Sequence, residues 1–522
     1  MKSKASKFIR PIALIMSVMT TLLMLFSCGA DTSNGYISSV NGNGTITVID
    51  SNGNEHYYKY VGTDAGNKDK GSLAMMFDVK DYGAVGDGVN DDTAAFEEAL
   101  AAMENGGTLY IPYGSYLVKK PLTLNRSNVT IYGEKGNSKI IYEKEMSKDV
   151  AFGTESFLTV KDSPSDITIK ELAIEYKSAV DQIETGEICG IYVENGTDIK
   201  ISDLDVSSFP GAGVAIGKAS DSAVTGVLIE NNFLHNNGTA GLFLAHAETV
   251  SVFSNTFTYN GIESNTEFGS GCYIPSDAAV NDLLIIGNLS DCNYFGGIDV
   301  RAGENIIIDG NTCKANRICG IGTMGDTVSD VSVTSNVITD MKAKNNTTAY
   351  AIAFGSTAKE SDGKIHSFSI LNNLIRGLGI GEEGSSSVSL YCGSYANDDY
   401  IKISGNTIEC DKTSSIFKMI APEEKIIAKL SLDFSANNIS ALEVRENAFA
   451  FVGDTITFSG NVFYAITHEG DSVINILGPA DNQLIFTGNT VIAGSPDNTV
   501  KFATANAIKQ IAYGNYFNNA PA

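Results

Sequence analysis

Val250-Ser-Val-Phe-Ser-Asn255-Thr-Phe257 is one copy of an eight-residue phrase, apolar-x-apolar-x-x-Asn-x-apolar, that recurs along the chain. Ten further copies, one of them looser, carry the asparagines Asn232, Asn288, Asn311, Asn336, Asn373, Asn406, Asn437, Asn461, Asn489 and Asn515. Successive asparagines lie 23 to 37 residues apart. A period in this range is typical of a stacked array of repeats.

Each phrase predicts a short strand followed by a turn. Apolar residues two positions apart place alternate side chains on one buried side. The asparagine comes just past the strand, where we expect a residue that tolerates left-handed backbone and bonds nearby main chain. With asparagine at the same place in every turn, we expect the amides to stack and hydrogen-bond along the column.

A second strand phrase, opened by glycine, follows many of the asparagine turns. Examples are Gly241-Leu-Phe-Leu, Gly297-Ile-Asp-Val and Gly320-Ile-Gly-Thr. Three short strands per turn, stacked in parallel, predict an all-β fold, a single-stranded right-handed parallel β-helix. A propeller would need about 40–50 residues per blade, and a sandwich would show turn signals every 8–12 residues or so. Both alternatives are therefore disfavoured.

The composition suits such a fold and argues against nucleic acid as a partner. The 522 residues include 52 glycines, 10 prolines and no tryptophan, and the formal net charge is −25. No block of basic residues is present to neutralise phosphates.

The N-terminus has the pattern of an export signal. Lys2, Lys4, Lys7 and Arg10 precede an apolar run from Ile12 to Phe26, which is short for a membrane span. The run ends in Leu-Phe-Ser-Cys28-Gly, which resembles the lipobox of bacterial lipoproteins. That resemblance implies cleavage before Cys28, lipidation of its thiol and a place in the cell envelope. An ordinary signal peptide ending near a cysteine is the alternative.

The remaining seven cysteines are odd in number and form no Cys-x-x-Cys pair. A zinc site or a disulfide framework is therefore not expected, and we predict no metal ligands. Cys272 and Cys313 occupy inward strand positions, where a thiol is a small apolar filler.

The segment that opens the β-helix predicts a terminal cap. It reads Asp81-Tyr-Gly-Ala-Val-Gly-Asp-Gly-x-x-Asp-Asp-Thr93-x-Ala, and Asp91 or Asp92 can cap a helix that starts near Thr93. Three regions follow: a signal peptide over 1–27, a tether with an expected small β-hairpin over 28–75, and the β-helix with its N-terminal capping helix over 76–522.

Residues 77–124 closely resemble the opening of the pectate-lyase-like superfamily, which includes rhamnogalacturonases, polygalacturonases, uronan epimerases and phage tail spikes. The resemblance implies a cap role for the acidic residues of this segment. It also implies an active site on the outer face of the strand ladder after the asparagine turn, which we assign to the glycine-opened strands. Three of the four polygalacturonase motifs are absent, so ordinary polygalacturonase activity is not expected.

Asp299 and Arg301 are the charged residues predicted midway along that outer face, close to Phe243 and Tyr273. An ion pair between neighbours on one strand is the plain alternative, but the chain has only six arginines. Adjacent turns lie about 4.8 Å apart. Asp299 could therefore lie roughly 5–10 Å from a second carboxylate, which spans the glycosidase geometries. The candidates for that second catalytic carboxylate are Asp277, Asp326 and Glu267.

The leading hypothesis is a glycoside hydrolase that uses such a carboxylate pair on a polysaccharide. Arg301, Phe243, Tyr273, Glu194, His246 and Arg317 are the predicted substrate-binding residues. No cofactor is required. A calcium-dependent polyuronate lyase is the enzymatic alternative, and it needs the ion because a chain of charge −25 repels a polyuronate. A non-catalytic glycan-binding or adhesive surface protein is the alternative from another class.

Overall fold

The computed structural model describes fifteen stretches of the chain, on which every structural statement below rests. They are residues 36–40, 45–49, 55–60, 73–145, 152–177, 187–217, 222–262, 269–343, 346–356, 366–393, 399–419, 430–476, 483–494, 500–502 and 509–519. The predicted signal segment, Cys28 and Glu267 lie outside these stretches. No helix within them is long and apolar enough to cross a membrane.

The chain divides into two compact units, residues 1–77 and 78–522. The described residues of the first unit form four strands, which pair consecutively and antiparallel. They are Tyr36–Val40, Thr45–Ile49, Glu55–Tyr60 and Leu73–Asp78, the last of which extends one residue into the second unit.

The second unit opens with a cap of one short 3₁₀ helix, Val79–Tyr82, and one α-helix, α1, Thr93–Ala102. Asp92 occupies the N-cap position of α1, but its side chain makes no capping hydrogen bond to the first turn of the helix. Its carboxylate instead accepts from the backbone N–H of Val85 at 2.6 Å and of Gly86 at 3.3 Å. Asp87 and Asp91 also accept hydrogen bonds from backbone N–H groups, so these acidic residues hold backbone, as the family resemblance implies.

Three parallel sheets form the rest of the second unit, and each turn of the β-helix contributes one strand to each. Sheet A contains the strands that precede the asparagine, sheet B the short strands directly after it, and sheet C the glycine-opened strands. Two strands, Gly296–Asp309 and Cys319–Thr334, run from sheet C into sheet A without a break. The all-β, right-handed parallel β-helix is as predicted. One detail differs: sheet B intervenes between each asparagine and the strand of sheet C.

Sheet A comprises Gly107–Ile111, Val129–Gly133, Ser165–Lys170, Thr197–Ser202, Val224–Glu230, His246–Phe253, Ala279–Ile286, Ser367–Leu371, Tyr400–Ser404, Ser431–Ser435, Thr455–Ser459, Gln483–Thr487 and Lys509–Tyr513. Sheet B comprises Asp87–Asp91, Gly114–Val118, Ser138–Glu143, Ala173–Lys177, Asp205–Ser207, Phe233–His235, Thr256–Thr258, Leu289–Asp291, Thr312–Lys314, Val337–Thr339, Lys342–Ala343, Leu374–Ile380, Thr407–Thr413, Asn438–Val444, Val462–His468, Thr490–Ala493 and Tyr516–Asn519. Sheet C comprises Leu122–Leu124, Leu158–Val160, Ile191–Val193, Ala212–Ile216, Ala240–Leu244, Ser270–Ile274, Thr348–Ser356, Ser386–Cys392, Ser415–Met419, Phe449–Phe451, Ile474–Ile476 and Val500–Phe502, besides the two continuous strands.

The repeated asparagines form a hydrogen-bonded ladder from Asn232 to Asn515. Asn311 is typical. Its Nδ2 donates to the Ile285 carbonyl at 2.8 Å and to Oδ1 of Asn336 at 3.0 Å. Its own Oδ1 accepts from Nδ2 and the backbone N–H of Asn288. Each buried amide thus satisfies main chain as well as the next amide.

The sequence predicts left-handed backbone at the asparagine of this turn. In the structure, the residue before the asparagine adopts that conformation instead. Asn231, Ser254 and Ser335, for example, have φ values of 56°, 53° and 54°. This residue turns the chain out of sheet A, and the asparagine is then free to bond inward.

A second ladder, which the sequence interpretation missed, follows on the other side of sheet B. It joins Asn237, Asn260, Asn293 and Asn316, each five residues after a member of the first ladder. Within four turns, the strands of sheet B therefore lie between two columns of buried amides.

Replacement of Asn311 by alanine is expected to destabilise the β-helix by roughly 3–5 kcal/mol, because it removes the acceptor for two donors of Asn288 and the side-chain donor to the Ile285 carbonyl and Asn336. The shift in the midpoint of urea-induced unfolding measures this cost. Asn515→Ala is the matched control, because Asn515 is half-buried and ends the described ladder. An equal loss of unfolding free energy in the two variants would contradict a cooperative role for the asparagine ladder.

Candidate functional site

The outer face of sheet C presents a row of side chains, one from each turn. Strand register aligns them in the order Tyr192, Ala215, Phe243, Tyr273, Asp299 and Gly322. The inward neighbours Leu242, Leu244, Ile298 and Val300 are fully buried. Asp299 therefore points away from the core, at the end of a run of aromatic residues.

Aromatic rings pack against one another along this row. The ring of Phe243 lies 5.7 Å from that of Tyr273 and 4.8 Å from that of Phe152. Tyr192 and Tyr273 are buried, whereas Phe243 is half-buried. Of the two aromatic residues predicted to bind substrate, Phe243 and Tyr273, only Phe243 is partly exposed, and Arg301 lies over the ring of Tyr273.

Asp299 and Arg301 form a shielded ion pair rather than an exposed one. Nε and Nη2 of Arg301 donate to Oδ2 of Asp299 at 3.1 and 2.9 Å. The guanidinium carbon lies 5.1 Å from the ring centres of both Tyr273 and Phe295. The side chain of Asp299 is 9% exposed and that of Arg301 is 28% exposed. Arg301 is thus held in one position, with one edge open.

Burial raises the pKa of Asp299, and the adjacent guanidinium opposes that rise. The carboxylate depends on Arg301 for its charge, because a buried carboxylate without a cation would take up a proton instead. Asp299 therefore differs from the solvent-facing catalytic carboxylate predicted from the sequence.

Asp277 and Asp326 lie on the corner that joins sheet C to sheet A, one turn before and one turn after Arg301. Ile274, Val300 and Thr323 are in register on neighbouring strands. The register then shifts, so that Ala302 pairs with Thr327. The residues between Thr323 and Thr327 form a bulge opposite Arg301. A side chain on Gly325 would come within 1.8 Å of the Arg301 carbonyl, so the bulge requires glycine. Both aspartates are exposed.

The other predicted residues are spread around this pair. His246 lies on the same corner, one turn before Asp277. It is half-buried, and its Nδ1 has no hydrogen-bond partner in the described part of the chain. Glu194 lies at the end of an earlier strand of sheet C, four turns before Arg301. Glu267 is outside the described residues.

Arg317 lies at the opposite end of sheet C and lines a cavity of about 300 Å³. The cavity is bounded by Tyr294, Phe295, Arg317, Ile318, Thr347, Thr348 and Tyr350. Phe295 contacts the Arg301 guanidinium as well, so one ring joins the ion pair to the cavity. The sequence interpretation did not select Phe295, which falls in the turn before the glycine-opened strand.

A larger groove of about 840 Å³ lies on the outer face of sheet B, and the sequence interpretation missed it. This sheet B groove is defined by Asp87, Tyr113, Lys139, Glu175, Asp205 and His235, with small residues between them. The signal was present in the repeat, because the residues on either side of the apolar residue after each asparagine point outward. At Asn232 these are Phe233 and His235.

No group of three or more His, Cys, Asp or Glu side chains within the described stretches is placed to hold a metal ion. The seven cysteines in these stretches are free thiols, and Cys272 and Cys313 are buried, as expected of core residues.

Comparison with known proteins gives one family and several relatives. Residues 76–284 match the family described as rhamnogalacturonase A/epimerase, pectate lyase-like. Mannuronan C5-epimerase AlgE2 of Azotobacter vinelandii is 29% identical over 272 residues, which cover 47% of this chain and 25% of the relative. Alginate lyase 7 of the same organism is 29% identical over 199 residues, which cover 36% of this chain and 22% of the relative. The chain thus spans about a quarter of the length of these curated relatives.

Among solved structures, the A-module of mannuronan C-5 epimerase AlgE6 from Azotobacter vinelandii aligns over 85% of this chain and 100% of that chain. The alignment has a TM-score of 0.36 and 14% sequence identity.

Replacement of Arg301 by alanine is expected to cost about 3–5 kcal/mol of stability at pH 7, because the Asp299 side chain stays buried without its cation and must take up a proton. In this variant, the pKa of Asp299 in the folded state lies further above its value in the unfolded state. The folded state keeps a proton that the unfolded state has lost, so the deficit grows as pH rises from about 4 to 7. Urea unfolding at both pH values measures the difference.

The double variant Asp299→Asn/Arg301→Ala is expected to regain part of this loss, because a buried asparagine does not have to take up a proton at pH 7. Arg376→Ala is the matched control, since Arg376 forms an exposed pair with Glu409. A loss for Arg301→Ala that is the same at pH 4 and pH 7 would contradict the account.

Proposed function

Because this chain is a right-handed β-helix of the pectate-lyase-like superfamily, we propose that it modifies an acidic polysaccharide on the outer face of sheet C, where Arg301 binds a sugar carboxylate. The relatives named for mannuronan and alginate, both polyuronates, support this class of substrate. Arginine binds carboxylates through paired N–H groups, which suits it to a uronate ring.

The state of Arg301 is the observation that carries the proposal. Asp299 and two aromatic rings hold the guanidinium, but only Nε and Nη2 are engaged. Nη1 donates to no acceptor in the described part of the chain. A cation that is fixed in place and keeps free donors is a pre-organised site for an anion, and it loses little entropy when the anion binds.

The chemistry that follows begins with proton removal beside the bound carboxylate. Pairing the carboxylate with Arg301 makes the hydrogen on the adjacent carbon more acidic, because the charge that develops on the oxygens is stabilised. His246, Asp277 and Asp326 lie on the same corner as Arg301 and are the candidate bases. Donation of a proton to the opposite face of that carbon by a second group gives epimerisation. Breakage of the bond from the next ring carbon to the glycosidic oxygen, which takes up a proton and leaves as a hydroxyl, instead cleaves the chain and leaves a double bond.

Asp299 acts as a positioning residue in this proposal, not as the catalytic carboxylate of the leading sequence hypothesis. Its exposed fraction is small, and one of its oxygens already accepts two hydrogen bonds from Arg301. The cavity beside Phe295 would receive a neighbouring sugar residue, with Arg317 close to its carboxylate.

Hydrolysis by Asp277 and Asp326 is a second candidate function. The two exposed carboxylates flank the turn of Arg301, so their strand positions differ by about two turn spacings, or roughly 10 Å. That is close to the separation of an inverting glycosidase. Replacement of either aspartate by asparagine would then abolish the release of reducing ends.

Incubation of the full chain with polymannuronate, alginate, polygalacturonate and neutral glucans tests the proposal. Ultraviolet absorbance detects unsaturated ends, proton NMR detects inversion at C5, and a reducing-end assay detects hydrolysis. We expect an unsaturated or epimerised product from an acidic polymer. Arg301→Ala is expected to lower the rate by about 100-fold or more, with Arg301→Lys in between.

Arg376→Ala, on the outer face of sheet B, is the control and should retain the wild-type rate. Full activity of Arg301→Ala on an acidic polymer would overturn the assignment of the site. Products from neutral glucans alone would overturn the class of substrate.

A further inference from the structure

We propose that the sheet B groove is a second saccharide-binding site and that it takes a neutral oligosaccharide chain lying along the axis of the β-helix. It is formed by a different sheet from the one that presents Arg301. Its test uses binding alone and does not depend on activity at Arg301.

The shape of the groove suits an extended chain. It crosses six neighbouring strands, from Asp87–Asp91 to Phe233–His235, and five spacings of about 4.8 Å give a length near 24 Å. Small residues keep its floor low, namely Gly114, Ser115, Ser138, Ala173 and Ser207. A linear polymer can follow such a trough, whereas a compact ligand would fill only part of it.

An aromatic platform lies at the C-terminal turn of the groove, where His235 lines the groove and Phe233 packs beside it. The rings of Phe233 and His235 stack at 4.0 Å with an interplanar angle of 19°. His235 is held by Asp205, at 2.9 Å from Nε2, and by Asn236, at 2.7 Å from Nδ1. Phe233 is 39% exposed, and Tyr113, at the other end, is 68% exposed. Aromatic faces of this kind pack against the apolar faces of sugar rings.

The charges in the groove are paired, and this argues for a neutral ligand. Lys139 forms an ion pair with Glu175, and Asp205 bonds His235. Burial lowers the pKa of His235, but hydrogen bonds to Asp205 and Asn236 outweigh that effect and raise it. The carboxylate of Asp87 accepts from Val89 and Asn90. No unpaired cation of the groove is left for a uronate, while hydroxyl and carboxylate groups remain to bond sugar hydroxyls.

Titration calorimetry of the full chain with cellohexaose, maltohexaose, laminarihexaose, xylohexaose and hexamannuronate tests the proposal. At least one neutral hexasaccharide is expected to bind the wild-type chain and the Arg301→Ala variant with the same affinity. Phe233→Ala is expected to weaken that binding about tenfold, because it removes the exposed ring of the platform. Circular dichroism and the unfolding midpoint confirm that each variant is folded.

Tyr464→Ala is the matched control, because Tyr464 is an exposed aromatic residue on the outer face of sheet B, in register with His235 and eight turns away. Its binding should match that of the wild-type chain. The proposal is overturned if no neutral hexasaccharide binds, if Phe233→Ala binds as tightly as wild type, or if Arg301→Ala abolishes the binding. Binding of hexamannuronate that depends on Phe233 would overturn the choice of a neutral ligand.

Discussion

The hydrogen bond from one asparagine amide to the next is the interaction on which the rest of this structure depends. The amide of Asn311, for example, bonds its counterparts on both neighbouring turns and a backbone carbonyl of sheet A. A slip of one residue would break all of these bonds and would also turn the apolar side chains outward. The column therefore fixes the register, and the register decides which side chains share an outer face.

The parts of the fold that repeat could be predicted from the sequence, because each copy of the repeat gives independent support for the same strand and turn positions. The phrase around Asn255 identified the parallel strands and the inward positions. The same reasoning missed the ladder of Asn237, Asn260, Asn293 and Asn316, although the spacing of five residues was visible. It also assigned the left-handed backbone conformation to the asparagine, whereas the residue before the asparagine adopts that conformation.

The site could be predicted only in part, because it depends on residues that break the repeat. Strand alternation placed Asp299 and Arg301 on the outer face, and the structure agrees. Alternation carries no information on what covers a face, so it did not show that Phe295 and Tyr273 enclose the pair. The bulge at Gly325 lies outside any period. The sheet B groove was missed for another reason, since only the outer face of the glycine-opened strands was considered as a binding face.

The second asparagine ladder has a mechanical consequence. Among the described residues it joins four turns, and the same turns of sheet C carry Phe243, Tyr273 and Asp299. Amide hydrogens in this zone should exchange with solvent most slowly, because two columns must open together. Bending and twisting of the solenoid would then concentrate in the turns beyond Asn316. A long polymer bound to the protein could then bend one end of the solenoid without changing the outer face of sheet C to which the polymer binds.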